Sequence, residues 1–132
     1  PAQLPEILAA ELAGLRAAEA LGAWCEAQKA RWAQVLAMQC EAPEVVVAEV
    51  SRCSPKEADR LVDRAATLDA VPGFAEALSE GRVAAGHVDA LSRGLASLDN
   101  ADQRARLVDE AQRLEQAAAL MTPDDFCQTG PA

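Results

Sequence analysis

From Leu4 to Cys40, apolar residues recur at helical spacing: Leu4, Ile7, Leu8, Leu12, Leu15, Leu21, Trp24, Trp32, Val35 and Leu36. A period near 3.6 residues predicts helix. Gly14 and Gly22 interrupt the pattern, each costing about 1 kcal/mol against alanine. No cluster of turn residues accompanies them, which favours one long helix, with Gly22 as the place for a kink, over a hairpin. Trp24 and Trp32, eight residues apart on this helix, are expected in the core rather than in a ligand-stacking site.

Glu41-Ala42-Pro43 ends that element, and the run Val45 to Val50 predicts a short helix from Glu44 to about Ser51. Next, Ser54-Pro55-Lys56-Glu57 places a hydroxyl at the N-cap, proline at the first helical position and glutamate at the third. This is a capping box. The helix it opens runs to about Ala70, with Ala58, Leu61, Val62, Ala65 and Leu68 as its apolar stripe. Ser51-Arg52-Cys53 separates the two helices by about the length of a helix-turn-helix turn. Val71-Pro72-Gly73 then breaks the chain before a short helix from Phe74 to Ser79, for which Gly81 is the left-handed stop.

A further helix is expected from about Ala84 to Leu98. Asp99 or Asn100 caps the next, over roughly 101–120, in which Leu107, Ala111, Leu114, Ala118 and Met121 step by four, three, four and three. That spacing is a short heptad seam. It fits the long N-terminal helix or a second copy of the chain, and packing within the chain is the commoner case. Thr122-Pro123-Asp124-Asp125 repeats the capping logic, and Phe126 begins another apolar face. The fold expected is all-α: a long N-terminal helix, a central helix-turn-helix-like unit and a long C-terminal helix, bundled in one domain over residues 1–132. Both ends read as cut from something longer.

Composition sharpens this picture in one respect. Tyrosine is absent and there are two Trp and two Phe, so Leu, Val and Ala must build the core, and small side chains let helices approach closely. The four cysteines, Cys25, Cys40, Cys53 and Cys127, contain no Cys-x-x-Cys pair and are joined by one His. That excludes the usual zinc spacings. With no signal-peptide pattern and no long apolar run, they are expected to be reduced thiols in a cytoplasmic protein. No membrane, metal or cofactor is expected.

The formal net charge is -9, which opposes non-specific nucleic-acid binding, since that comes from neutralising phosphates. The distribution is uneven. Residues 51–93 carry seven acids and six bases, while the segments on either side each carry seven acids and three bases. Any anion-binding surface is therefore expected centrally. Lys56, Arg60 and Arg64 recur every four residues on one helix face, and Arg52 precedes them at the turn. Glu57, Asp59 and Asp63 lie beside them at spacings that allow local ion pairing, so a solvated mixed-charge face is the competing reading. His87, with no nucleophile or carboxylate at a recognisable spacing, reads as a packing or capping residue rather than a catalytic one.

Ser54-Pro55-Lys56-Glu57-Ala58, then Ala75-Glu76-Ala77-Leu78-Ser79-Glu80-Gly81-Arg82-Val83, Gly86-His87-Val88-Asp89-Ala90-Leu91 and the closing Thr122-Pro123-Asp124-Asp125-Phe126 resemble the domain-of-unknown-function 222 family, also called the 13E12 repeat family. The likeness runs from about residue 10 to residue 127. It implies a helical region that usually precedes an HNH endonuclease module, mainly in actinobacterial and phage proteins. The ten Arg against two Lys are compatible with a GC-rich source. A nuclease of that kind needs several metal-holding side chains, and one His does not supply them. The chain is thus expected to be non-catalytic, with the nuclease module downstream in cis.

A weaker similarity, carried by Val71-Pro72, Ala77-Leu78, Gly81, Gly86-His87 and Ala90-Leu91, is to the DNA-binding segment of ParB-type partition proteins. It implies Pro55 to Leu68 as a recognition helix, with a departure at Arg52, where many such turns have Gly. Two readings follow. One is a DNA-targeting or DNA-positioning module whose contacts are Arg52, Lys56, Arg60 and Arg64. The other is a protein-interaction or homo-oligomer scaffold that uses the long N-terminal helix and the seam from Leu107 to Met121.

Overall fold

A computed structural model describes residues 6–125, apart from the side chains of Gln116 and Ala117. Among the described residues the regular structure is helical: α1 Ala9–Gln39, α2 Pro43–Ser51, α3 Pro55–Ala70, α4 Pro72–Ser79, α5 Ala85–Ala96 and α6 Ala101–Ala118. Cys127 and the face expected to begin at Phe126 lie outside the described residues.

The ends of these helices follow from the residues at them. Glu57 N–H donates to the Ser54 hydroxyl at 3.1 Å, and prolines stand in the first turns of α2, α3 and α4, where a missing N–H costs nothing. Asn100 Oδ1 accepts from Asp102 N–H at 2.7 Å, and Thr122 Oγ1 from Asp125 N–H at 3.2 Å. Gly81 takes a left-handed φ of 76°, as expected. A side chain there would meet Ala20 as well, whose Cβ lies 3.2 Å from where a Cβ would stand.

α1 is one helix that runs through both Gly14 and Gly22. Its second half packs on α3 and α4, α2 packs on α3, and α5 bridges α3 to α6. The core is centred on Phe74, Leu78, Val71 and Val88, all fully enclosed. Around them alanine dominates the close contacts, with Ala30 and Ala33 from α1, Ala58 and Ala65 from α3, and Ala77 from α4 all buried.

That alanine lining overturns the expectation for the tryptophans. Trp24 is 48% and Trp32 64% exposed, because α1 turns its small residues inward to let α3 approach, and both indoles lie on the opposite side. The seam from Leu107 to Met121 is internal. Leu107, Ala111 and Ala118 are buried, and Leu114 and Met121 pack against the same core. Its neighbours are α4 and α5, so its buried residues pack within the chain, with Leu114 and Met121 half-buried at its edge.

Candidate nucleic-acid interface

The α2–turn–α3 unit joins a nine-residue helix to a sixteen-residue one. Arg52 makes the turn in the left-handed region, at φ 53° and ψ 39°, and Cys53 N–H bonds back across it to Ala48 O at 3.2 Å. This is the position where glycine is the unstrained choice, and a non-glycine residue costs about 1–2 kcal/mol there. Its side chain is exposed.

The basic stripe on α3 divides once its surroundings are known. Lys56 and Arg60 are exposed, whereas Arg64 is buried. The Arg64 guanidinium takes a two-pronged grip on Asp89 of α5, with Nε to Oδ1 and Nη2 to Oδ2 both at 2.9 Å. Nη1 donates to Glu26 of α1 at 2.6 Å. Burial pulls its pKa down, but the hydrogen bond and charge of Asp89 and the charge of Glu26 outweigh that and raise it. Arg64 is therefore a clamp that ties α1, α3 and α5 together, and the structure withdraws it from the contact face. The signal was present in the chain. Arg64 lies three residues after Leu61 and four before Leu68, beside the apolar stripe. Arg60 in turn donates to Glu57 at 2.9 Å, an exposed pair of the kind worth about 0.3–0.5 kcal/mol.

What spacing could not show is the company that Lys56 and Arg60 keep. They line one side of an open cleft of about 720 Å³ between α3, α5 and α6, and Arg93 of α5 and Arg104 of α6 line the other. Asp59, Asp63 and Asp89 also face it, but Asp89 is held by Arg64. With Arg60 engaged by Glu57 and Asp89 by Arg64, three bases, Lys56, Arg93 and Arg104, face the cleft against two acids, Asp59 and Asp63. Arg104 is steadied by donating Nε to Leu98 O at 2.7 Å. The floor carries Ala66, Thr67 and Ser92, with the two hydroxyls 2.6 Å apart. Such a rim can hold a phosphate backbone electrostatically.

The Gly86-His87 pair does structural work. His87 is buried, and its Nδ1 accepts from Ala84 N–H at 2.9 Å, which closes the start of α5. Nδ1 must therefore be bare, so the proton sits on Nε2, which donates to Met121 O at 2.6 Å. One residue earlier, a Cβ on Gly86 would meet Pro123 at 2.7 Å. The two residues together dock the segment after α6 against α5. No group of three or more His, Cys, Asp or Glu is arranged to hold a metal among the described residues. None of the helices there is long and apolar enough to cross a membrane.

These features define an all-helical module with a helix-turn-helix connection and a mixed but cation-rich cleft. The chain belongs to the family described as domain of unknown function (DUF222), whose model matches residues 6–129. No curated protein and no solved structure matches it, and the similarity to ParB-type proteins is not shown by these comparisons.

Proposed function

We propose that this chain is a DNA-positioning module which acts beside a nuclease module in cis and supplies no cutting step of its own. The observation that carries the reading is the convergence of Lys56, Arg60, Arg93 and Arg104 on one cleft in a chain of net charge -9, with α3, the second helix of the α2–turn–α3 unit, forming one wall. The bases supply sequence-independent phosphate contact. Exposed positions on α3 such as Lys56 and Asp59 are those that would meet base edges. Asp59 and Asp63 oppose the backbone, so few phosphates are engaged and binding is weak at physiological salt.

The test is fluorescence anisotropy on a short duplex across a salt series. Log affinity should fall with log salt at a slope of about -0.9 per phosphate engaged, and with about three contacts the fall is steep but short of that of a dedicated repressor. Lys56→Glu with Arg93→Glu should abolish binding and leave helicity unchanged. If the unaltered protein shows no binding at the lowest salt, where screening is least, the reading fails. The second reading, a protein-interaction scaffold, is favoured by the exposed apolar residues of α1.

A further inference from the structure

α1 is apolar on two sides. Its inner side is the alanine lining described above. On the far side Leu21, Trp24, Trp32 and Val35 stand 62, 48, 64 and 36% exposed, and Ile7, just before the helix, 73%. Gly14, Leu21, Gln28 and Val35 keep a seven-residue step along the helix, the spacing at which one helix presents a line to another, and Leu21 and Val35 are its apolar members. A helix with apolar residues on two sides is normally covered on both, yet residues 9–22 of this one are exposed apart from a half-buried Leu12. Beside this face an open groove of about 470 Å³, lined by Val35, Leu68 and Ala75 among others, separates α1 from α3 and α4. Isolated surface leucines need no explanation, but a contiguous apolar face of this length does.

We infer that this face of α1 binds the same face of a second copy, antiparallel, with Leu21 near the two-fold axis. Three observations select that occupant. The first is area. Five large side chains with the small residues between them remove roughly 700 Å² from each copy, close to the ~800 Å² per partner of a standard interface.

The second is shape. In an antiparallel pair centred on Leu21, positions whose numbers sum to 42 lie opposite. Trp32 then faces Ala10, Trp24 faces Ala18 and Gln28 faces Gly14, so both indoles meet small residues, while Val35 faces Ile7 and Leu21 its own copy. A parallel pair would stack indole on indole and leave the alanines facing each other across a gap. The third is charge. Toward the start of the helix the acids Glu6, Glu11 and Glu19 outnumber Arg16, and toward its end the bases Lys29 and Arg31 outnumber Glu26. Antiparallel pairing sets acidic end beside basic end, and parallel pairing sets like beside like. The contact is independent of the DNA reading and uses none of the cleft residues.

Sedimentation equilibrium over a wide concentration range, without DNA, tests the assignment. A monomer–dimer equilibrium is expected. Trp32→Ala should weaken it by about tenfold or more, as truncation of a buried aromatic anchor does. Leu21→Glu, which sets two carboxylates at the axis, should leave only monomer. Both positions are exposed in the monomer, and an unchanged circular dichroism melt under dissociating conditions shows that the variants still fold. For orientation, with the four native cysteines changed to serine, Leu21→Cys should cross-link under mild oxidation and Ala10→Cys should not. Three results overturn the assignment: a monomer at all concentrations, a dimer indifferent to Leu21→Glu and Trp32→Ala, or cross-linking at both positions. A monomer whose residues 9–22 exchange amide hydrogens as slowly as α3 would mean that a segment of its own chain covers the face, and this too overturns it.

Discussion

α1 and α3 teach different things about what a hydrophobic pattern can say. On α3 the apolar residues form one stripe with charges around it, and of the five residues that the stripe names Ala58, Leu61, Ala65 and Leu68 are buried and Val62 is half-buried, with Arg64 and Thr67 buried beside them. On α1 apolar residues are spread round the circumference. The helix is evident, but the pattern names no inner face. Burial there is decided by how near α3 can come, and alanine wins because it permits the shorter distance. The largest side chains of α1 are left facing away, so size alone misleads wherever a helix has two apolar sides.

The largest effect expected from this contrast lies at the clamp between the two helices. Arg64→Ala leaves Asp89 and Glu26 without their cation in a partly buried setting. Removing one member of a buried pair costs about 3–5 kcal/mol, with the lower end expected here because Glu26 keeps access to solvent and to Lys29, 3.0 Å away. Urea denaturation measures it. Arg64→Lys should recover only part of the loss, since an ammonium cannot reproduce the two parallel bonds to Asp89. A loss below about 1 kcal/mol would mean that the clamp behaves as a surface pair.

A smaller effect is expected on the inner side of α1. Ala33→Leu forces a larger side chain into the closest helix contact and should destabilise by about 1–3 kcal/mol. Were it neutral, the closeness of approach would not be what selects alanine there, and the contrast between the two helices would lose its cause. The smallest effect belongs to the projecting half. Leu15→Gln, at an exposed position off the proposed dimer face, should change stability by less than about 0.5 kcal/mol. A larger loss would show that residues 6–22 are packed against something after all.

Local chemistry made most of the fold legible. Capping residues, prolines and the left-handed Gly81 located the helix ends to within a residue or two, and the spacing of Leu107, Ala111 and Ala118 identified a buried line. The candidate site was legible only in half. Lys56 and Arg60 are neighbours on one helix, so their shared face can be read from spacing. Arg93 and Arg104 reach the same cleft from other helices, and nothing in the spacing along the chain brings them there. Arg64 was misplaced because regular four-residue recurrence with Lys56 and Arg60 outweighed its position beside Leu61 and Leu68, and because its partners Glu26 and Asp89 are far away along the chain.

The closure of the segment after α6 onto α5 has a consequence for observation. The chain holds one histidine, and its ring is fixed in a single tautomer by the Ala84 amide on one side and the Met121 carbonyl on the other. Both ring nitrogens are thus spoken for only while that segment is docked. Undocking would break the bond from Nε2 to Met121 O and open its proton to exchange with water, so the imidazole resonance serves as a native magnetic-resonance label for the docking of residues 121–125 on α5.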